Sequence, residues 1–61
     1  MPDSFETIVA NWATDREIPL TVATTKLDGS PAWVEAKLTY AAGGCERVIK
    51  LLLDLGMKER N

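Results

Sequence analysis

Apolar residues at Phe5, Ile8, Val9, Trp12 and Ala13 follow the i, i+3, i+4, i+7, i+8 spacing of one helical face, with Glu6, Thr7, Ala10 and Asn11 opposite. The spacing predicts a first helix over residues 3–14. Asp3 followed three positions later by Glu6 has the form of a capping box, and both carboxylates suit the positive end of the helix dipole. Thr14-Asp15-Arg16-Glu17 then makes a polar break.

From residue 18 to residue 40 the chain turns to Thr, Val, Leu and Ala around Asp28-Gly29, the pattern of a β-hairpin. Two registers compete. A two-residue Asp28-Gly29 loop would mix Ile18, Leu20 and Val22 with Lys37, Glu35 and Trp33 on one face. A three-residue Leu27-Asp28-Gly29 loop, with Gly29 at a left-handed bulge, pairs Thr24 with Ala32, Val22 with Val34, Leu20 with Ala36 and Ile18 with Leu38. This register makes one face apolar and leaves Pro19 and Pro31 where no ladder bond is lost, so it is the one expected. Its outward face carries Thr21, Ala23 and Thr25 on one strand and Trp33, Glu35, Lys37 and Thr39 on the other.

Ala41-Ala42-Gly43-Gly44 ends the sheet, and a second helix is expected over residues 45–55, closed by Gly56 with Lys58 and Arg60 near its negative end. On a wheel, Cys45, Val48, Ile49, Leu51, Leu52, Leu53 and Leu55 fill an arc of roughly 200°. That is about twice the stripe one sheet covers. The order α-β-β-α implies a two-layer α+β domain spanning residues 1–61, both helices resting on the Ile18, Leu20, Val22, Val34, Leu38 face. Two strands and so short a chain are marginal alone, so a homodimer is expected. Either Leu51 and Leu55 or Ile49 and Leu53 would meet the partner, with the free edge of the second strand available to complete a four-stranded sheet.

Composition narrows the chemistry. Sixty-one residues, 46% hydrophobic and 26% charged, suffice for one small domain and exclude a multidomain enzyme. Seven Lys plus Arg against nine Asp plus Glu leave a net charge of -2, which is no footprint of a generic nucleic-acid or anionic-membrane binder. One Cys and no His allow neither an internal disulfide nor a conventional zinc site. No cofactor is expected. No apolar run approaches the roughly 18 residues of a membrane span, and Met1-Pro2-Asp3-Ser4 lacks the basic start of a signal peptide, so the cytoplasm is the expected location.

Individual motifs read mostly as structure. Cys45 after Gly43-Gly44 stands where a helix dipole favours a thiolate, yet no His is present to serve as its base, and a small apolar core residue is the simpler reading. The two glycines match neither the P-loop nor the dinucleotide pattern. The nine carboxylates are scattered, and no pair is spaced as a general acid and base. Trp12 belongs to the apolar stripe. Trp33, expected on a solvent face among small neighbours, has the character of an interface anchor.

The expected function follows from these points: a non-catalytic, small acidic protein that binds a protein partner as inhibitor, adaptor or regulator through the hairpin's outer face or edge; a phage or mobile-element source is suggested only by how common compact stand-alone inhibitors are there. Thr21, Ala23, Thr25, Trp33, Glu35 and Lys37 would form the binding face. The alternative is a dimeric nucleic-acid-associated regulator presenting Arg16, Lys26 and Lys37, against which the net charge counts.

Overall fold

Phe5, Ile8, Val9, Trp12 and Ala13 are the buried residues of a first helix, α1 (Phe5–Asp15), as their spacing requires. The cap is Ser4, whose hydroxyl accepts a hydrogen bond from the Thr7 N–H at 3.1 Å. The computed structural model describes residues 4–59, so the Asp3 half of the expected capping box and Arg60 lie outside the described residues. At the other end, Glu17 N–H bonds Thr14 C=O and Ile18 N–H bonds Ala13 C=O, the paired bonds of a Schellman stop. That stop needs a left-handed residue, and Glu17 supplies it at φ 56°.

Residues 20–27 and 31–40 are helical, and the expected β-hairpin does not form; the described residues contain no strand. They make α2 (Leu20–Leu27) and α3 (Pro31–Ala41), joined by Asp28-Gly29-Ser30. The architecture is therefore all-helical, not α+β. The physical reasons are local as well as tertiary. Ser30 caps α3 by accepting from the Trp33 N–H at 3.2 Å, and Pro31 sits in the first turn, where its missing N–H costs nothing. Thr24, a residue that favours strands, is accommodated in α2 because its hydroxyl donates to the carbonyls of Leu20 at 3.0 Å and Thr21 at 3.2 Å.

The change of period from 2 to 3.6 turns the segment inside out. Ala23 and Leu27 of α2 and Ala32, Trp33 and Ala36 of α3 are buried. Leu20, Val22, Val34 and Leu38, the expected core face of the hairpin, are between 43% and 60% exposed. Ile18 alone of that set packs on the core.

α4 (Glu46–Glu59) runs one turn longer than expected, since Gly56 does not cap it but lies buried within it. A Cβ at Gly56 would stand 2.8 Å from Ala32 Cβ and 2.9 Å from Leu27 Cδ2, so the missing side chain is what lets α4 approach α2 and α3. The turn before α4 is a second Schellman stop: Gly43 N–H bonds Tyr40 C=O at 3.0 Å, Gly44 N–H bonds Thr39 C=O at 2.8 Å, and Gly43 takes the left-handed φ of 79°. α3 and α4 thus form an antiparallel pair on which α1 and α2 pack. Trp12, Val9, Leu27, Ile49 and Leu53 fill the centre.

Candidate functional site

Two residues on α4 fix which of its flanks faces the rest of the molecule. The Asp54 carboxylate accepts from Trp12 Nε1 at 2.8 Å and forms a two-pronged pair with Arg16, 2.5 Å to Nε and 2.7 Å to the terminal guanidinium nitrogen. Lys50 reaches Asp15 at 3.9 Å. Both contacts are to α1, so Lys50 and Asp54 mark the inner flank. The Arg16 guanidinium also stands 5.6 Å from the centre of the Trp12 ring. Hydrogen bonding from Arg16, helped by Trp12 and opposed by partial burial, holds Asp54 below the usual carboxylate range, and the same bond raises Arg16.

Ile49, Leu53 and Gly56 lie at the core, about 100° round from that flank. Continuing round the helix in the same sense brings Leu52, half-buried, and then Val48, Leu55 and Leu51, exposed at 43%, 49% and 57%. On α3, Trp33 and Tyr40 meet Phe5 of α1 edge to face at 5.1 and 5.9 Å, while Val34 and Leu38 stand exposed opposite the buried Ala32 and Ala36. The outward surface of α4 therefore carries an apolar stripe of Val48, Leu51 and Leu55 beside half-buried Leu52, with Arg47 and Lys58 along one edge. Soluble monomers seldom expose so many large aliphatic side chains together.

The expected binding face does not survive the loss of the hairpin. Thr21 and Thr25 are exposed on α2, but Ala23 beside them is fully buried. Glu35 and Lys37 are exposed on α3, on different flanks. Trp33 is buried against Phe5 with Lys37 Nζ 5.3 Å from its ring centre, and its own indole N–H is buried without a partner. Of the residues expected at a dimer interface, Ile49 and Leu53 are in the chain's own core and offer nothing to a second molecule, whereas Leu51 and Leu55 are on the exposed face. Val48 and Leu52 belong to the apolar arc already expected on the second helix, whereas the exposure of Leu38 could not follow from the hairpin register, which turns it inward; a helix signal was present in Ser30-Pro31.

A concavity of about 180 Å³ opens between α1, α2 and α3 over Phe5, Val9, Leu20 and Trp33, with Glu6 and Lys37 at its rim. Cys45 is exposed just before α4. Among the described residues no cluster of three His, Cys, Asp or Glu side chains is placed to hold a metal ion, and no helix is long and apolar enough to cross a membrane. Comparison of the chain with protein-family models, with curated proteins and with solved structures finds no match.

Proposed function

We propose that this chain is a non-catalytic binding protein of the cytoplasm that engages a protein partner, as inhibitor, adaptor or regulator, through the outer face of α3 and α4. The observation that supports the reading is the exposure of Val48, Leu51 and Leu55 in one stripe along α4, with Val34 and Leu38 also exposed on neighbouring α3. A helix pair with a leucine-lined outer surface suits helix-in-groove recognition, in which apolar anchors at i, i+3 and i+7 set the affinity and rim charges set the register.

The test is sedimentation of N-terminally labelled chain at nanomolar concentration, in buffer and in cell extract, for wild type and for the Leu38→Glu/Leu51→Glu variant. Wild type is expected to gain mass in extract, and the variant to stay at the 6.7 kDa of one chain while keeping its helical circular dichroism. A wild type that sediments as the free chain in both media, or a variant that keeps the added mass, overturns the reading.

A further inference from the structure

Three helices each bring two residues one turn apart to the concavity beside Trp33: Phe5 and Val9 from α1, Leu20 and Thr24 from α2, Trp33 and Lys37 from α3. Phe5 and Val9 are buried, and the Phe5 and Trp33 rings stand edge to face at 5.1 Å, so the wall contains a fixed aromatic corner. The volume of about 180 Å³ exceeds the roughly 150 Å³ that holds a benzene ring in an apolar protein cavity. The polar groups around it are of defined kinds. The Thr24 hydroxyl is spent on the carbonyls of Leu20 and Thr21. Lys37 holds its ammonium 5.3 Å from the centre of the Trp33 ring, and Glu6 supplies a carboxylate from α1. Among the described residues neither charge is in an ion pair. Trp33 is only 9% exposed, and its buried indole N–H has no hydrogen-bond partner, a donor whose acceptor the chain does not provide.

We propose that this concavity binds a free α-amino acid with a single-ring apolar side chain, its ring against Phe5 and Trp33, its carboxylate toward Lys37 and its ammonium toward Glu6. Charge complementarity selects the class. An apolar acid without the amine meets Lys37 favourably and Glu6 unfavourably, and an apolar amine without the acid meets the reverse. A ligand carrying both charges satisfies both rim groups. In an α-amino acid the two charges sit on either side of one carbon, so the side chain can enter the apolar space while both stay at the wet rim. The carboxylate is also an acceptor of the kind the Trp33 N–H lacks. This site lies apart from the α4 stripe and does not depend on what that stripe binds.

The test is a nuclear magnetic resonance titration of isotope-labelled full chain with L-phenylalanine, with hydrocinnamate, which lacks the ammonium, and with phenethylamine, which lacks the carboxylate. The indole N–H signals of Trp33 and Trp12 are read together, since Trp12 donates to Asp54 and is no part of the concavity's wall. L-Phenylalanine is expected to move the Trp33 signal saturably, with a dissociation constant on the order of 1 mM, and to leave the Trp12 signal in place. Both single-charge analogues are expected to bind more weakly. Glu6→Gln and Lys37→Gln, exposed changes that keep the helical circular dichroism, are each expected to weaken phenylalanine about threefold, the scale of one rim ion pair, whereas Glu6→Gln does not weaken hydrocinnamate. A Trp33 signal that fails to saturate with phenylalanine, an analogue that binds as tightly as phenylalanine or more so, or affinities indifferent to both substitutions overturns the inference.

Discussion

Glu17 and Gly56 show how single residues shape this molecule in opposite ways. Glu17 holds a left-handed φ of 56° so that the chain can leave α1 and turn Ile18 back onto the core. A Cβ-bearing residue there is strained by about 1 kcal/mol or more, and glycine relieves that strain at some cost in unfolded-chain entropy. Glu17→Gly is therefore expected to stabilise the fold by about 0.5–1 kcal/mol, read as a rise in the denaturant midpoint with unchanged slope. Gly56 behaves the other way. Alanine is the better helix former by about 1 kcal/mol, yet its methyl would press on Ala32 Cβ and Leu27 Cδ2. Gly56→Ala is expected to lose about 1–3 kcal/mol, because overpacking between helices outweighs propensity; a neutral or raised thermal midpoint would show that α4 can simply move outward.

At the scale of elements, α1 and α4 are tied by one polar contact of consequence, the Arg16–Asp54–Trp12 group. The Arg16 and Asp54 side chains are more than a third exposed, so solvent screening holds the pair to about 1 kcal/mol or less. Its dependence on pH has a definite sign. Asp54 is held below its ordinary value of 3.8 in the folded state, so its contribution is complete above the unfolded carboxylate range and is lost as pH falls through the lowered folded value. Wild type is expected to lose more stability than Asp54→Asn between about pH 5 and pH 2, with the two curves converging at the acid end. Parallel curves over that interval would mean the carboxylate does not couple to folding. The element that misled sequence reading was the 18–40 segment. Thr21, Val22, Thr24, Thr25 and Val34 have strand preferences, and Asp28-Gly29 is a hairpin signal, but β-propensity reports how a side chain fits its surroundings more than what the backbone must do. Ser30-Pro31 and the Ala32, Ala36 spacing carried the competing helix signal.

At the scale of the molecule, four short helices enclose a core of eleven contiguous buried apolar residues, and the remaining large aliphatic side chains have nowhere within the chain to go. Leu38, Val48, Leu51 and Leu55 stay outside because α3 and α4 each have one flank on α1 or α2 and one on each other. This is why function is proposed there and not on Trp33, which the fold consumes as core. The width of the apolar arc on α4 was legible in the chain itself and pointed to an occupant beyond one layer. Which of its leucines face in and which face out was not, because an arc of roughly 200° admits several rotations of the helix about its axis.

The sequence by itself determined what depends on neighbours along the chain: α1 and its buried stripe, a second strongly amphipathic helix after Gly43-Gly44, and a surplus of apolar surface on that helix. Tertiary structure decided the rest. Residues 20–41 become helices because Ala23, Leu27, Ala32, Trp33 and Ala36 can be buried together against Ile49, Leu53 and Gly56 only at a period of 3.6. The rotation of α4 follows from the same packing, since Ala32 and Gly56 allow close approach on one side and Asp54 must reach Trp12 and Arg16 on another. Packing between distant segments, which local pattern does not encode, is what separates the core leucines from those on the candidate interface.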